Sequence, residues 1–369
     1  MRKVLFHLNC LEQGGAERTV SNLANELSKQ GYEVIVATQW QGENEFPLDD
    51  SVRRIHVGLK KDDEKRSQIS RALRRILYLR KLIQKEKPDV TIAFARKAIY
   101  RSLFATRFTK QPVIIAVRTN PVGYYDEKKY KLLIPLLLER AAGAVFQTKD
   151  QRDFFPDKIG KKSTIIYNPI NPKYVNVAKV EKKEKVIAHS SRIVGLKNQE
   201  MLIRAFMQVL AKHPDYSLKI YGTDSGDGTW EKLETLIKEN HLEEKVFLMG
   251  GCDSLETELP KAEIYAFPSD EEGLPNALLE AMALGLPVIS TDCPCGGPAT
   301  VIEHEKNGLL VPIKDADAMA SAIIRLIEDK ALAERLGKEA EKIKTQLDGQ
   351  TIIGQWKSYI EKVITKKTN

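Results

Sequence analysis

The sequence predicts an α/β protein built from two doubly wound, Rossmann-like domains that face each other across a cleft. Short runs of β-branched residues alternate with helical stretches along the chain, as in parallel sheets covered by helices. A proline-containing, highly charged segment interrupts this alternation near the middle of the chain. The length of 369 residues also exceeds what one hydrophobic core usually serves, which favours two domains.

The first domain is expected to cover residues 1–170. Helices at 16–30 and 67–86 are expected to lie between its strands, because apolar residues recur there at helical spacing. The strands are predicted at 3–8, 33–38, 54–57, 90–94, 113–117, 144–147 and 164–167.

The linker is expected between residues 168 and 184, where Asn-Pro-Ile-Asn-Pro is followed by Lys-Val-Glu-Lys-Lys-Glu. The second domain then covers residues 184–350. Its strands are predicted at 186–189, 218–221, 246–248, 264–267, 288–290 and 309–311. In such sheets ligands bind at the carboxyl ends of the strands, so functional residues are expected there.

The stretch from Ser269 to Ala281 places two carboxylates around the start of a helix. Pro275 suits a first helical turn and strong helix formers follow it, so the helix is expected to begin near residue 275. N–H groups at a helix start attract phosphate, whereas Glu272 and Glu280 require a neutral hydrogen-bond donor such as a sugar or ribose hydroxyl. A purely structural alternative makes Glu272 a helix cap and Glu280 an exposed helix residue.

The longer run from Glu272 to Asp292 resembles the signature of family 4 glycosyltransferases, which are retaining enzymes of the GT-B architecture. In that family the first Glu contacts the donor sugar, the second binds the ribose, and the backbone amides between them hold the diphosphate. The resemblance therefore implies a catalytic role for Glu272 and a ribose-binding role for Glu280. The implied nucleotide-sugar contacts between them are Gly273, Leu274, Pro275, Asn276, Ala277 and Leu278.

Two cations follow the first strand of the second domain. Arg192 and Lys197 precede a helix that is expected to start near residue 199, and cations at the carboxyl end of a strand suit a leaving diphosphate. An isolated pair with this spacing is also common on protein surfaces. The resemblance assigns both residues to the diphosphate.

Two further loops carry expected ligand contacts. Gly14 and Gly15 follow the first strand, and paired glycines let backbone approach a ligand closely, although such a turn is also common without a ligand. The resemblance places this loop against the donor phosphates and the acceptor, and it places Gly251 and Cys252 against the base. The family also implies that the last helix, near 351–369, packs back on the first domain.

Arg118 ends a strand at the predicted cleft, in the sequence Ala-Val-Arg-Thr-Asn-Pro. Many members of the family have a His at this place, which touches the donor sugar. We expect Arg118 either to take over a catalytic role or to meet an anionic acceptor.

Positive charge is concentrated between residues 53 and 87, which contain thirteen Lys or Arg and four acids, whereas the whole chain has a net charge of +8. Within this segment Ile69, Leu73, Ile76, Leu77 and Ile83 recur at helical spacing, so a basic amphipathic helix is expected at 67–86. We expect its apolar face to pack on the sheet and its basic face to meet solvent or anionic lipid headgroups. Few aromatic residues and no nucleic-acid motif accompany this charge, so nucleic acid is not an expected partner.

Composition bounds the location and the cofactors. The sequence has no apolar stretch of eighteen residues and no recognisable signal peptide, so a cytoplasmic protein, peripheral on the inner face of the plasma membrane, is expected. Four scattered cysteines and six separated histidines predict reduced thiols and no metal site. No cofactor is expected beyond the nucleotide-sugar donor, for which UDP is the favoured base.

The predicted function is that of a retaining, metal-independent hexosyltransferase. It would move a hexose or N-acetylhexosamine to a lipid-linked (polyprenyl diphosphate) or oligosaccharide acceptor in bacterial surface glycan synthesis. A GT-B-type nucleotide-sugar epimerase and a phosphorylase are alternatives because they share the two-domain plan. A non-catalytic protein that binds sugar nucleotides is a third, because it would have the same binding loops without turnover.

Overall fold

A computed structural model describes residues 1–12, 14–122, 125 and 133–368. The chain divides into two compact units. Unit 1 comprises Met1–Asn168 and Gln350–Asn369, and unit 2 comprises Pro169–Gly349. Unit 2 is therefore inserted in the chain of unit 1, and its two ends meet where the Ile170 N–H donates to the Leu347 carbonyl at 3.0 Å.

The described part of unit 1 contains a parallel sheet of seven strands in the order β3-β2-β1-β4-β5-β6-β7. The strands are buried in the middle of the sheet, as both faces of a doubly wound sheet require. Their bounds are β1 Lys3–Leu8, β2 Glu33–Thr38, β3 Arg53–His56, β4 Val90–Phe94, β5 Val113–Ala116, β6 Gly143–Phe146 and β7 Ser163–Ile165.

Unit 2 contains a second parallel sheet, with six strands in the order β10-β9-β8-β11-β12-β13 among the described residues. The chain starts at the centre of this sheet with β8, builds outward through β9 and β10, and returns to the other side of β8 with β11. The bounds are β8 Glu184–Ser190, β9 Ser217–Tyr221, β10 Val246–Gly250, β11 Ala262–Phe267, β12 Val288–Thr291 and β13 Leu309–Val311.

Helices connect the strands in both units. In chain order they are α1 Gly15–Lys29, α2 Gln68–Glu86, α3 Arg96–Ala105, α4 Leu133–Leu138, α5 Lys149–Asp153, α6 Asp157–Gly160, α7 Gln199–Lys212, α8 Thr229–Glu239, α9 Leu255–Glu258, α10 Asn276–Ala283, α11 Gly297–Val301, α12 Ala316–Glu328, α13 Lys330–Glu341, α14 Ile343–Gln346 and α15 Gly349–Thr368.

The last helix, α15, belongs to the core of unit 1. Trp356 is 1% exposed and stacks on Phe94 at the end of β4, with 5.7 Å between ring centroids. The Tyr359 hydroxyl accepts a hydrogen bond from the Ala144 N–H at 2.9 Å, and the Tyr32 hydroxyl donates to Glu361 at 2.6 Å. These contacts make α15 part of unit 1, although it follows unit 2 in the chain.

The predicted architecture of two doubly wound α/β domains is confirmed, and each predicted strand has a counterpart whose ends differ by at most two residues. The expectation for the apolar face of α2 is wrong in part. Ile83 is buried, but Ile69, Leu73 and Leu77 are exposed, because the described part of unit 1 covers the C-terminal half of the helix and not its N-terminal half.

Candidate active site

Five loops at the carboxyl edge of the unit 2 sheet are joined by backbone hydrogen bonds. The loops follow β10, β9, β8, β11 and β12, which are neighbours in the sheet. The bonds that join them run from Ser191 N to Tyr221 O, Ile193 N to Thr223 O, Gly222 N to Gly250 O, Asp270 N to Leu196 O and Glu272 N to Pro294 O, all within 2.8–3.0 Å. This edge is where ligands bind in open α/β sheets, and the loops present it as one connected surface.

An ion pair joins the loops after β8 and β11: Lys197 Nζ binds Glu272 Oε1. The Lys197 side chain is 19% exposed and that of Glu272 is 9% exposed, so the pair is largely buried and only partly accessible to solvent. Lys197 Nζ also lies 5.9 Å from the centre of the Phe267 ring. An ammonium group has three donors, so Lys197 can hold Glu272 and still donate to an anionic ligand.

The neighbouring residues Asn198 and Asp270 connect the same two loops. Asn198 adopts a left-handed conformation with φ of 48°, and its side-chain oxygen caps α7 by accepting from the Met201 N–H. Its side-chain amide donates to Asp270 Oδ1 at 2.9 Å. Neither the cap nor the bond to Asp270 was predicted from the sequence. An Asn just before a helix is a recognisable N-cap signal, which could have identified Asn198 as the cap.

The predicted helix after Glu272 is present as α10, but Pro275 lies in front of it rather than in its first turn. Pro275 is the N-cap residue, with φ of −75° and ψ of 113°. The loop from Gly273 to Pro275 passes so close to α11 that a Cβ on Gly297 would lie 1.5 Å from the Gly273 carbonyl oxygen. Only glycine fits at 297, so this contact fixes how the start of α10 approaches the site.

Glu280 lies in the second turn of α10 and is 7% exposed, which excludes the alternative of an exposed helix residue. Glu272 and Glu280 share a neighbour in buried Tyr265. Burial raises the pKa of the Tyr265 hydroxyl, and the charges of Glu280 and Glu272 raise it further. Both carboxylates therefore lie near enough to Tyr265 for their charges to act on its hydroxyl.

Arg192 extends from the same edge into solvent, and its guanidinium makes no hydrogen bond or ion pair to the part of the chain that the structure describes. The backbone around it is well held. The Gln199 side-chain amide donates to the Arg192 carbonyl and to Ser191 Oγ, both at 2.9 Å. Ser191 Oγ lies 2.7 Å from Nε2 of His189, whose other ring nitrogen donates to the Ala266 carbonyl.

His189 is neutral near pH 7, because burial and the positive charge of Lys197 lower its pKa to about 4, against a favourable hydrogen bond to Ala266. A neutral ring that donates from Nδ1 accepts at Nε2, so His189 Nε2 can accept a hydrogen bond from the Ser191 hydroxyl. The His189–Ser191 contact thus positions the backbone that carries Arg192.

Gly251 and Cys252 lie at the end of β10, on the far side of the β9 loop from Lys197. Cys252 is partly exposed, and its sulfur is 4.0 Å from Ser254 Oγ. The β9 loop passes against the β8 loop, since a Cβ on Gly222 would lie 1.7 Å from the Ser191 carbonyl oxygen. All the predicted nucleotide-sugar contacts of unit 2 therefore lie along one edge of one sheet.

The predicted contacts of unit 1 gather at the carboxyl edge of its own sheet. Gly14 is the N-cap of α1, and Gly15 begins that helix. The Gly15 carbonyl accepts from Thr19 Oγ1 at 2.8 Å, and the same hydroxyl lies 3.5 Å from Asn168 Oδ1. Asn168 Oδ1 also lies 3.5 Å from Arg118 Nη1, so Asn168 links the glycine loop to Arg118.

Arg118 packs against the aromatic core of unit 1. Its guanidinium carbon lies 5.4 Å from the centre of the Phe94 ring and 5.2 Å from that of Trp356, and Nη1 donates to the Ile166 carbonyl. Its Nε and Nη2 are buried and bond to none of the described residues. Burial lowers the pKa of Arg118 to about 9. The structure thus gives Arg118 a packing role, and its catalytic role stays a prediction.

No group of three or more His, Cys, Asp or Glu side chains is arranged to hold a metal ion within the described ranges. No helix in that part of the chain is long and apolar enough to cross a membrane.

Two family models match the chain in sequence. The model described as Glycosyltransferase Family 4 matches residues 13–174, and the model described as Glycosyl transferases group 1 matches residues 171–343. Together they span both units. The two Rossmann-like units and the matched families define a glycosyltransferase of the GT-B type, and the chain belongs to glycosyltransferase family 4.

Similar proteins include enzymes of bacterial glycan synthesis. N-acetylgalactosamine-N,N'-diacetylbacillosaminyl-diphospho-undecaprenol 4-alpha-N-acetylgalactosaminyltransferase from Campylobacter jejuni is 28% identical over 92% of this chain and 94% of its own length. Exopolysaccharide phosphotransferase SCO2592 from Streptomyces coelicolor is 34% identical, but over 50% of this chain and 19% of its own length. Alr3699/HepE from Anabaena, solved with UDP and glucose, superposes with a TM-score of 0.81 at 18% identity over 98% of this chain and 100% of its own.

Proposed function

We propose that the protein is a retaining glycosyltransferase that moves a hexose or N-acetylhexosamine from a UDP-sugar to a lipid-linked or oligosaccharide acceptor in bacterial surface glycan synthesis. The observation that carries this proposal is the Lys197–Glu272 pair beside the start of α10. It places a cation for phosphate and a carboxylate for hydroxyl groups side by side at the ligand-binding edge of the sheet.

In this proposal Arg192, Lys197 and the backbone N–H groups at the start of α10 hold the diphosphate of the donor. Glu272 accepts hydrogen bonds from the donor sugar, and Glu280 accepts them from the ribose. The charges support this division, since carboxylates repel phosphate and cations attract it. Gly251 and Cys252 are proposed to contact the base, as the family resemblance implies, and their position just after β10 on the same edge supports this. UDP is favoured as the nucleotide because Alr3699/HepE was solved with it.

The reaction breaks the bond between the anomeric carbon and the leaving phosphate oxygen, and forms a bond from an acceptor hydroxyl oxygen to the same face of that carbon. The leaving phosphate takes the proton of the acceptor hydroxyl, so no protein base is needed. The transition state develops negative charge on the diphosphate, which Arg192, Lys197 and the helix start stabilise. These groups supply the positive charge that a metal ion provides in other transferases, and we propose that the enzyme works without one.

Unit 1 is proposed to bind the acceptor through the loop of Gly14 and Gly15 and through Arg118. A lipid-linked acceptor is favoured because the name of the Campylobacter jejuni relative describes a diphospho-undecaprenol substrate. Such an acceptor places the enzyme at the cytoplasmic face of the plasma membrane, where the positively charged segment 53–87 would meet anionic lipids.

The test has two stages. First, thermal shifts are measured with UDP, GDP, UDP-glucose, UDP-N-acetylglucosamine and UDP-N-acetylgalactosamine. The sugar nucleotide that stabilises the protein is then incubated with a polyprenyl diphosphate-linked sugar, and nucleotide release and glycan products are followed.

We expect nucleotide release that depends on the acceptor, with a product in which the anomeric configuration of the donor is kept. Glu272→Ala and Lys197→Ala should each reduce turnover by at least about tenfold. An epimerised nucleotide sugar, phosphorolysis, inversion, or binding without any turnover would each refute the proposal.

A further inference from the structure

The N-terminal half of α2 carries an apolar stripe that the rest of the described structure leaves uncovered. Ile69, Leu73 and Leu77 are spaced by four residues, which places them along one side of the helix. They are 76%, 55% and 47% exposed. By contrast, Leu79, Leu82 and Ile83 in the C-terminal half are 0%, 8% and 6% exposed and pack into the core of unit 1.

This half of α2 is held in place despite its exposure. Ser67 caps the helix by accepting from the Ser70 N–H. Buried Asp63 accepts a hydrogen bond from the Tyr78 hydroxyl at 2.7 Å and forms ion pairs with Arg66 and Arg74 at 3.4 and 3.7 Å. These contacts fix the helix from its other side, so the stripe is presented on a rigid element.

Two exposed phenylalanines lie at the end of α3 and just after it, and this end of α3 is bonded to α2. Arg80, one turn beyond Leu77, donates to the Arg107 carbonyl at 2.9 Å and so ties the residues after α3 to the part of α2 that follows the stripe. Phe108 follows there and is 83% exposed, and Phe104 is 41% exposed. Solitary exposed apolar residues are ordinary on protein surfaces, whereas a group on two adjacent elements indicates a binding surface.

The charge of the helix that carries the stripe identifies its partner. Residues 68–85 contain six Lys or Arg and no Asp or Glu. A second copy of the chain would bring the same positive charge to the interface and be repelled. An anionic lipid bilayer offers both matching parts, because its headgroups attract the cations and its acyl boundary accepts apolar side chains.

We propose that Ile69, Leu73 and Leu77, with Phe104 and Phe108, insert into the headgroup–acyl boundary of an anionic bilayer, while the cations of α2 contact the headgroups. This deepens the membrane association proposed above by naming inserted side chains, and it rests on that proposal for its location in the cell. It does not depend on the transfer reaction. Membrane binding through charge alone needs no insertion, so the two can be separated by experiment.

The main test compares the full-length wild type with Ile69→Gln/Leu73→Gln/Leu77→Gln on phosphatidylcholine vesicles with and without phosphatidylglycerol. Gln keeps helix propensity, and the replaced side chains are exposed, so the fold should be retained. We expect the triple variant to partition at least about tenfold more weakly onto the mixed vesicles. Phe247→Gln, which replaces a 37% exposed residue of unit 2, is the matched control and should bind like the wild type.

Depth is tested with Leu73→Trp and lipids brominated along the acyl chain. Fluorescence quenching beyond that of the wild type, whose tryptophans provide the background, is expected if residue 73 inserts. Wild-type partitioning of the triple variant, or no extra quenching, would overturn insertion in favour of binding by charge alone. A dimer in solution that the triple variant abolishes would instead assign the stripe to self-association.

Activity separates this inference from the proposed function. On a short-chain, water-soluble acceptor the triple variant should retain the wild-type rate, because none of its changes lies at the carboxyl edges of the sheets. If the wild type shows no transfer but inserts, the proposed reaction fails and the membrane surface stands. If transfer occurs and nothing inserts, the reverse holds.

Discussion

The Lys197–Glu272 pair allows stability and catalysis to be measured separately with one set of variants. Lys197→Met keeps much of the side-chain volume but leaves the Glu272 carboxylate, 9% exposed, without its cation. Removing one partner of a fully buried pair costs about 3–5 kcal/mol of unfolding free energy. Because the Lys197 side chain is 19% exposed and water can reach part of the site, we expect about 2–3 kcal/mol here.

The double variant Lys197→Met/Glu272→Gln removes both charges. The backbone of residue 272 keeps its bonds to Pro294 and Cys295, so the loop should hold its course. Replacing both partners of a buried pair is often close to neutral, and we expect a loss of no more than about 1 kcal/mol relative to the wild type. Stability should therefore recover in the double variant, whereas turnover should not.

The assay combines urea unfolding with initial rates of nucleotide release for the wild type, both single variants and the double variant. A rate that falls at least about tenfold in all three variants corresponds to at least about 1.4 kcal/mol of lost transition-state stabilisation. If the double variant regained both stability and rate, the pair would be structural and the catalytic assignment would be wrong. An unchanged stability of Lys197→Met would show that Glu272 does not depend on its cation.

Three further predictions concern other parts of the molecule. Gly297→Ala should lower donor affinity and stability together, because its Cβ would meet the Gly273 carbonyl at 1.5 Å; an unchanged thermal shift with UDP would contradict this. Activity should persist in EDTA, since cationic side chains hold the diphosphate in our proposal, and a strict requirement for a divalent ion would refute metal-independent transfer. Unfolding free energy should decrease as the pH falls from about 6.5 towards 4. In this range His189 is protonated in the unfolded chain but stays neutral in the folded protein, where its pKa is about 4. The contribution of His189 is at most about 1.4 kcal/mol per pH unit, and His189→Asn should flatten the pH dependence of the urea midpoint relative to the wild type; an equal slope in both proteins would contradict it.

The strands and their order along the chain were predictable, because buried parallel strands are short runs of β-branched residues. The edge that carries Lys197 and Glu272 followed from the rule that ligands bind at carboxyl ends of strands. Their direct contact did not follow, since it joins residues 75 apart in the chain and requires β8 and β11 to be neighbours in the sheet.

Two other features depended on tertiary packing that a sequence pattern does not contain. The apolar residues of α2 recur at helical spacing along the whole helix. In the described structure those near its C-terminal end reach the core of unit 1, whereas those near its N-terminal end do not. The periodicity alone could not tell the covered part from the exposed part. Arg118 was recognisable as a charged residue at a strand end, whereas its contact with Trp356 depends on where the last helix returns.

The insertion of unit 2 within unit 1 has a consequence for biosynthesis. During synthesis, residues 169–349 are complete before the ribosome has made α15, so unit 2 can fold while the core of unit 1 still lacks Trp356 and Tyr359. The nascent chain then exposes apolar surface beside Phe94 until the residues of α15 emerge. Because the Ile170 N–H and the Leu347 carbonyl already hold the ends of unit 2 together, that unit can be excised as one continuous segment. To produce unit 1 as one chain without unit 2, residue 168 must be joined to residue 350 by a short linker. Premature termination before α15 would therefore damage unit 1, although most of that unit lies in the N-terminal half of the sequence.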